Sequence, residues 1–220
     1  MLATTKFATR LWFQLPHVLS TLQPRSVTTA ANTEIDTALN SAWAANTQGD
    51  FALSAQAFQR AATLQTTELG PLHEDTLLSK NNLGAALLNS GQLDEAEPIL
   101  RATLLERINV LGDDNAATLT TANNLGILLK QTNQLEEAEA ISKRAFVGSL
   151  TAMGPVHEDV LDTAQNYGEI LMMVGKYEKC ESLFLQMQTQ CERTFGLSHP
   201  NTQQFMNNLA IIKQMKEKLK

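Results

Sequence analysis

A motif returns every 42 residues along most of this 220-residue chain, and that fixed period constrains the fold more than any other feature. Gly70 recurs as Gly112, Gly154 and Gly196. Asn82 recurs as Asn124, Asn166 and Asn208, with Asn40 one period upstream. Two residues beyond each asparagine the side chain is small: Ala42, Gly84, Gly126, Gly168 and Ala210. Self-similarity at one period of this length marks stacked supersecondary units, none of which buries its apolar face alone. The expectation is a solenoid without a single central core. Architectures of that kind mostly bind other proteins.

Each period carries two stretches with apolar residues at helical spacing. In the first unit, Ile35, Ala38, Leu39 and Ala42 predict a helix over 34–47, and Gln48-Gly49-Asp50 a turn. Phe58, Ala61, Ala62 and Leu64 give the apolar face of a second helix over 51–69. The later units predict helices A and B over 74–89 and 93–111, over 116–130 and 135–153, and over 158–174 and 177–195. Residues 199–220 supply a last helix A with no helix B after it, expected to cap the stack, and its Lys213, Lys216, Lys218 and Lys220 suit a helix C-terminus. Pro98 falls slightly inside the start of its helix and is expected to be tolerated with little distortion. Glycine inside a helix costs about 1 kcal/mol relative to alanine. Gly84, Gly126 and Gly168 therefore predict close helix crossings, each against a small residue of helix B: Ala96, Ala138 and Cys180.

These residues carry a resemblance. The run Leu69-Gly70-Pro71-Leu72-His73-Glu74-Asp75-Thr76, then Asn81-Asn82-Leu83-Gly84, a glycine turn and Leu93-Asp94-Glu95-Ala96-Glu97, resembles the tetratricopeptide repeat in its 42-residue, kinesin-light-chain form. It extends over about residues 34–215 and is best at 81–97 and 123–139. The resemblance implies an all-α, right-handed α-solenoid of helical hairpins, about four repeats plus a C-terminal capping helix. It also implies that helices A line a concave groove for an extended peptide or a partner domain. Gln165 in place of the first asparagine and Cys180 in place of the small alanine depart from the pattern in the fourth unit.

Charge separates the chain into two parts. The net charge is −6, yet residues 1–32 hold Lys6, Arg10 and Arg25 and no acid, which leaves 14 basic against 23 acidic residues, or −9, in 33–220. An acidic body is a poor partner for phosphate backbones, so no nucleic acid is expected. Residues 1–32 resemble an organellar transit peptide, mitochondrial before plastid, with a cytosolic leader as the alternative. Their apolar run from Leu11 to Leu15, ended by Pro16, is too short for a membrane span. Cys180 and Cys191 are 11 residues apart on one predicted helix. That is roughly 16 Å, beyond the ~7 Å Cα reach of a disulfide, so both are expected to be reduced.

If helices A line a groove, Asn40, Asn82, Asn124, Asn166 and Asn208 form a ladder along it. A carboxamide both donates and accepts, so such a ladder could grip a peptide main chain at roughly 0.5–1.5 kcal/mol per bond. The alternative is that the asparagines bond to the neighbouring repeat. One turn along lie Trp43, Ala85, Ile127, Glu169 and Ile211; one turn back lie Asp36, Leu78, Thr120, Asp162 and Gln204. The candidate groove residues are the five asparagines with Trp43, Leu78, Ile127, Asp162 and Glu169. Lys and Arg are missing from these positions, so no clamp for a C-terminal carboxylate is expected.

Chemistry is not expected. His73, His157 and His199 share one repeat position in the loop entering helix A, so they are spread over different units and read as loop-stabilising rather than catalytic or metal-binding. No phosphate-binding glycine loop, paired-cysteine or nucleophile-elbow motif is present. The sequence points to a non-catalytic scaffold with no cofactor and no metal: a mitochondrial adaptor, assembly factor or accessory subunit of a larger complex. The alternative is a cytosolic cargo adaptor resembling kinesin light chain.

Overall fold

Helices alternate with short turns throughout the computed structural model, which describes residues 30–218. Among these residues there are nine α-helices and no strand. The helices are α1 (Ala30–Thr47), α2 (Phe51–Leu69), α3 (Glu74–Asn89), α4 (Leu93–Leu111), α5 (Ala116–Gln131), α6 (Leu135–Met153), α7 (Glu158–Met173), α8 (Tyr177–Phe195) and α9 (Pro200–Lys218). The odd-numbered helices are the predicted helices A. α1 begins at Ala30, so the helical body takes in the last three residues of the acid-free segment. The rest of that segment lies outside the described residues.

The helix limits follow from local chemistry. The predicted loop histidines are N-caps: His73 Nδ1 accepts from the Asp75 N–H, and His157 Nδ1 from the Asp159 N–H, both at 3.2 Å. His199 accepts from the Asn201 N–H in the same way, and Asn115 does so through Oδ1 at 2.9 Å. Each side chain satisfies one orphan donor of the first turn. The turn from helix A to helix B needs a left-handed residue. Gly91 supplies it at φ 80°, and Asn133, the non-glycine residue best suited to that region, supplies it at φ 62° one unit later.

At the helix crossings the small residue of helix B does meet helix A, as Cys180 meets Gly168, and a second side chain adds to the contact. The small residue of helix B packs on the helix A backbone rather than into the glycine notch: Ser54 Oγ donates to the Ala42 carbonyl at 3.1 Å and Cys180 Sγ to the Gly168 carbonyl at 3.2 Å. One turn further along helix B, a different side chain fills the notch. A Cβ on Gly84 would lie 2.5 Å from Leu100 Cδ2. A Cβ on Gly126 would meet the Ser142 hydroxyl, and one on Gly168 would meet the Phe184 ring. The glycines therefore make holes for knobs of varied size, and Leu100 and Phe184 are fully buried in them.

Each helix packs on the next along the chain. Beyond that, the closest second-neighbour contacts are α3 with α5 and α5 with α7, all helices A. Curvature thus draws helices A together on an inner wall and spreads helices B outside. Arg107, 1% exposed, pins the end of α4 to the start of α5, donating to the Ala117 carbonyl and to Thr121 Oγ1 at 2.8 Å. Burial pushes its pKa down to about 10. On the outer wall, Arg101 makes two bonds of 2.6 and 2.8 Å to Glu137 and one to Glu97. The Arg101 guanidinium holds the Glu137 carboxyl below its ordinary range.

Candidate functional site

The inner wall is where sequence and family resemblance place a ligand, and it is stitched by carboxamides. Asn124 Nδ2 donates to Asn81 Oδ1 at 3.2 Å, Asn166 Nδ2 to Asn123 Oδ1 at 3.1 Å, and Asn208 Nδ2 to Gln165 Oε1 at 2.6 Å. Asn82 joins through Oδ1, which accepts from Asn81 Nδ2 at 3.2 Å. Asn82, Asn124, Asn166 and Asn208 are each at most 3% exposed. Four of the five ladder residues thus show the geometry of the alternative reading, bonding within and between repeats. Asn40, at the N-terminal end, is exposed. The missed partners are the residues just before the ladder, Asn81, Asn123 and Gln165. Their signal was visible as the doubled amide Asn-Asn or Gln-Asn in every period after the first, where Leu39 precedes Asn40.

The other candidates scatter along the wall. Trp43 is half-buried, edge-on to Phe58 at 5.3 Å between ring centroids. Leu78 and Asp162 are half-buried, and Ile127 is fully buried. Glu169 is not presented to a groove. It accepts from Lys130 Nζ at 2.6 Å and from Gln165 Nε2 at 3.0 Å, so it bridges α5 and α7. One unit earlier the same two positions hold Leu88 and Ile127, both buried.

The wall opens beside the last helix. Between α7 and α9 lies a cleft of about 700 Å³. Glu158, Leu161, Asp162, Gln165 and Asn166 form its α7 side, and Asn201, Gln204 and Phe205 its α9 side. Val156 and His199 close it from the loops and Phe195 from the end of α8. Of the ten candidate residues, Asp162 and Asn166 come together here. The equivalent junction between α5 and α7 holds a cavity of only about 10 Å³, among Thr120, Asn123, Ser149, Asp159 and Thr163. The difference has a covalent cause. Gln165 is one methylene longer than Asn81 or Asn123, so it reaches Asn208 while α9 stands further off, and α9 approaches α7 less closely than α5 does.

Aromatic and charged groups meet in the cleft. Phe195 is 39% exposed and stacks on His199 with centroids 4.4 Å apart and planes 22° from parallel. Two carboxylates, Glu158 and Asp162, line the cleft, and no Lys or Arg does. Nucleophile chemistry is not supported by the cysteines: both are buried and unpaired, and burial pushes the Cys180 thiol up to about 12 and raises that of Cys191. Among the described residues, no three His, Cys, Asp or Glu side chains gather as a metal ion would require. Among the same residues, no helix is long and apolar enough to cross a membrane.

Comparison with known proteins identifies the architecture. A family profile described as tetratricopeptide repeat matches residues 34–104 and 76–146. Among solved structures, a point variant of a Podosopora anserina kinesin-light-chain candidate with nearly identical TPR-like repeats superposes with a TM-score of 0.78 at 17% identity, over 87% of this chain and 90% of that one. A second structure of that protein gives 0.76 at 17% identity, over 84% and 88%. BtubC (BKLC) from P. vanneervenii gives 0.62 at 17% identity, over 85% and 84%. At such identity these likenesses speak for the fold. A comparison with curated proteins finds no match.

Proposed function

The chain belongs to the tetratricopeptide repeat family, and we propose that it works in mitochondria as an adaptor, assembly factor or accessory subunit, holding a partner on its concave wall. Tetratricopeptide repeats mediate protein–protein binding, and their fold is typical of non-catalytic scaffolds. The observation that carries the concave reading is the cleft between α7 and α9. Amide bonds and the Lys130–Glu169 pair stitch the wall between α3 and α7, and the α7–α9 cleft offers depth to a partner's side chains. The support for mitochondria is the acid-free, basic segment 1–32, outside the described residues save for the start of α1.

Two measurements test the reading. Fusion of residues 1–32 to a fluorescent reporter is expected to bring the reporter into mitochondria. Capture from gently lysed mitochondria with the full chain is expected to retain a partner that Asp162→Arg/Gln204→Arg loses at matched melting temperature. Unchanged capture by that variant refutes the concave reading. A reporter that stays in the cytosol refutes the compartment. It would favour the second reading, a cytosolic cargo adaptor, which the likeness to kinesin-light-chain-type repeats supports.

A further inference from the structure

We propose that the outer wall between α2 and α4 seats the chain's own N-terminal segment, through the apolar stripe Leu15, Val18, Leu19 and Leu22. It concerns the outer wall, so it stands or falls apart from the concave reading and from the compartment. A trough of about 320 Å³ runs between the two helices. One water needs about 10–15 Å³, so this is far more than a packing defect. Ala62, Thr63 and Thr66 form the α2 side and Pro98, Ile99 and Ala102 the α4 side, over Leu83 of α3. The polar groups there are already engaged. Lys80 Nζ donates to both Glu106 oxygens at 3.1 and 2.9 Å and to the Pro71 carbonyl at 3.2 Å. The hydroxyls of Thr63, Thr66 and Thr103 donate to carbonyls of their own helices at 2.9, 2.7 and 2.7 Å. The trough therefore suits an apolar occupant.

The space is particular to this junction. Between α4 and α6 the residues equivalent to Ala62, Thr63 and Thr66 are Leu104, Leu105 and Ile108, and Arg101 ties the two helices through Glu137. The first unit carries smaller side chains in those places. The chain also enters the fold beside the trough. Glu34 of α1 pairs with Arg60 of α2 at 3.3 Å, so the start of α1, one turn earlier, runs along the stretch of α2 that carries Thr63 and Thr66. Residues 1–29 come before it, outside the described residues. In their sequence Leu15, Val18, Leu19 and Leu22 recur at the spacing of one helix face. Residues 23–29 link that stripe to α1 and span up to about 25 Å when extended, enough to pass round a helix about 10–12 Å across. A tether this short holds the stripe at a millimolar effective concentration. Charge agrees: the segment carries Lys6, Arg10 and Arg25 and no acid, and residues 33–220 carry −9. Processing that removed the segment would bare the trough.

The test uses the full chain as an equal mixture of isotopically light and heavy copies. A photo-crosslinking side chain is placed singly at Leu105 on the trough's rim, at Leu185 on the outer face of α8, or at Gln204 on the concave wall. Residues 1–29 are expected to join position 105 of the same copy at about tenfold the yield seen from 185 or 204. Thr63→Leu/Thr66→Ile fills the trough with the residues of the next junction and is expected to cut that yield about tenfold. Leu15→Ser/Val18→Ser/Leu19→Ser/Leu22→Ser should do the same while leaving the helical body's sequence untouched, so misfolding of the body cannot explain the loss. Equal yields from all three positions, or no crosslink at all, overturn the seat. A preference for position 204 puts the segment on the concave wall and overturns it too. Crosslinks between light and heavy copies make a second copy's segment the occupant, against the proposal. A yield at 105 that neither variant lowers shows contact without the trough and has the same consequence.

Discussion

Replacing Glu169 by isoleucine isolates an ion pair buried in the inner wall. Lys130 and Glu169 join α5 to α7 at 2.6 Å, with side chains 11% and 9% exposed. Removing one partner of a buried pair costs about 3–5 kcal/mol, because a charge is left without compensation. The low end, about 3 kcal/mol, is expected here, since Lys130 keeps a path to solvent. For a chain of this size that is a fall in melting temperature of roughly 6–12 °C. The double variant Lys130→Leu/Glu169→Ile restores the pair Leu88/Ile127 that the chain uses one unit earlier. An apolar replacement of a buried pair is often neutral or stabilising by about 1–4 kcal/mol. Against this, Gln165 Nε2 loses its acceptor at a cost of about 1 kcal/mol. The double variant is therefore expected to melt close to the natural protein and well above Glu169→Ile. Because repeat arrays can lose cooperativity, hydrogen exchange in α5 and α7 should accompany the melting curve. A double variant whose loss equals the sum of the two single losses refutes coupling across the junction.

Three further outcomes are expected. Thr118 Oγ1 is buried without a hydrogen-bond partner, and Val160 occupies the equivalent position, so Thr118→Val should stabilise by about 0.5–2 kcal/mol. Thr76→Val instead breaks a 2.9 Å bond to the Gly70 carbonyl and should cost about 1 kcal/mol; urea denaturation with opposite signs at the two sites checks the reasoning. Gly168→Ala drives a methyl into the rigid Phe184 ring and should cost about 1–3 kcal/mol. Gly126→Ala meets only a serine hydroxyl that can rotate away, so the helix-propensity gain of about 1 kcal/mol leaves it near neutral, and equal losses at both sites would contradict the account. Burial raises the Cys180 thiol from 9.0 to about 12, so the unfolded chain loses this proton first. The associated stability is complete below pH 9 and falls as pH rises towards 12, by up to about 1.4 kcal/mol per unit. Cys180→Ala should flatten that slope, and an unchanged slope would show that other groups set it.

Most of the fold was legible because its determinants are local. The 42-residue period fixes the count of hairpins, and the glycine or asparagine left-handed turns and the histidine caps fix the helix limits to within a few residues. The candidate site was less legible, because its residues had to be assigned partners. Asn124, Asn166 and Asn208 look identical in sequence whether they face a ligand or the preceding repeat. Only the rotation of each helix A against the last decided that their amides meet Asn81, Asn123 and Gln165.

The sequence by itself determined an all-α solenoid with its helices, turns and acidic body, since periodicity, capping and charge act within a few residues. The tertiary structure decided what each repeated residue touches. Gly84 and Gly168 admit Leu100 and Phe184, one turn further along helix B than the small residues that spacing had paired with them, while Cys180 lies against the Gly168 carbonyl. Glu169 is closed off by Lys130 from the neighbouring repeat. The cleft beside α9 exists because Gln165 is one methylene longer than its counterparts. That difference is plain in the sequence, but it acquires meaning only when α9 is packed against α7.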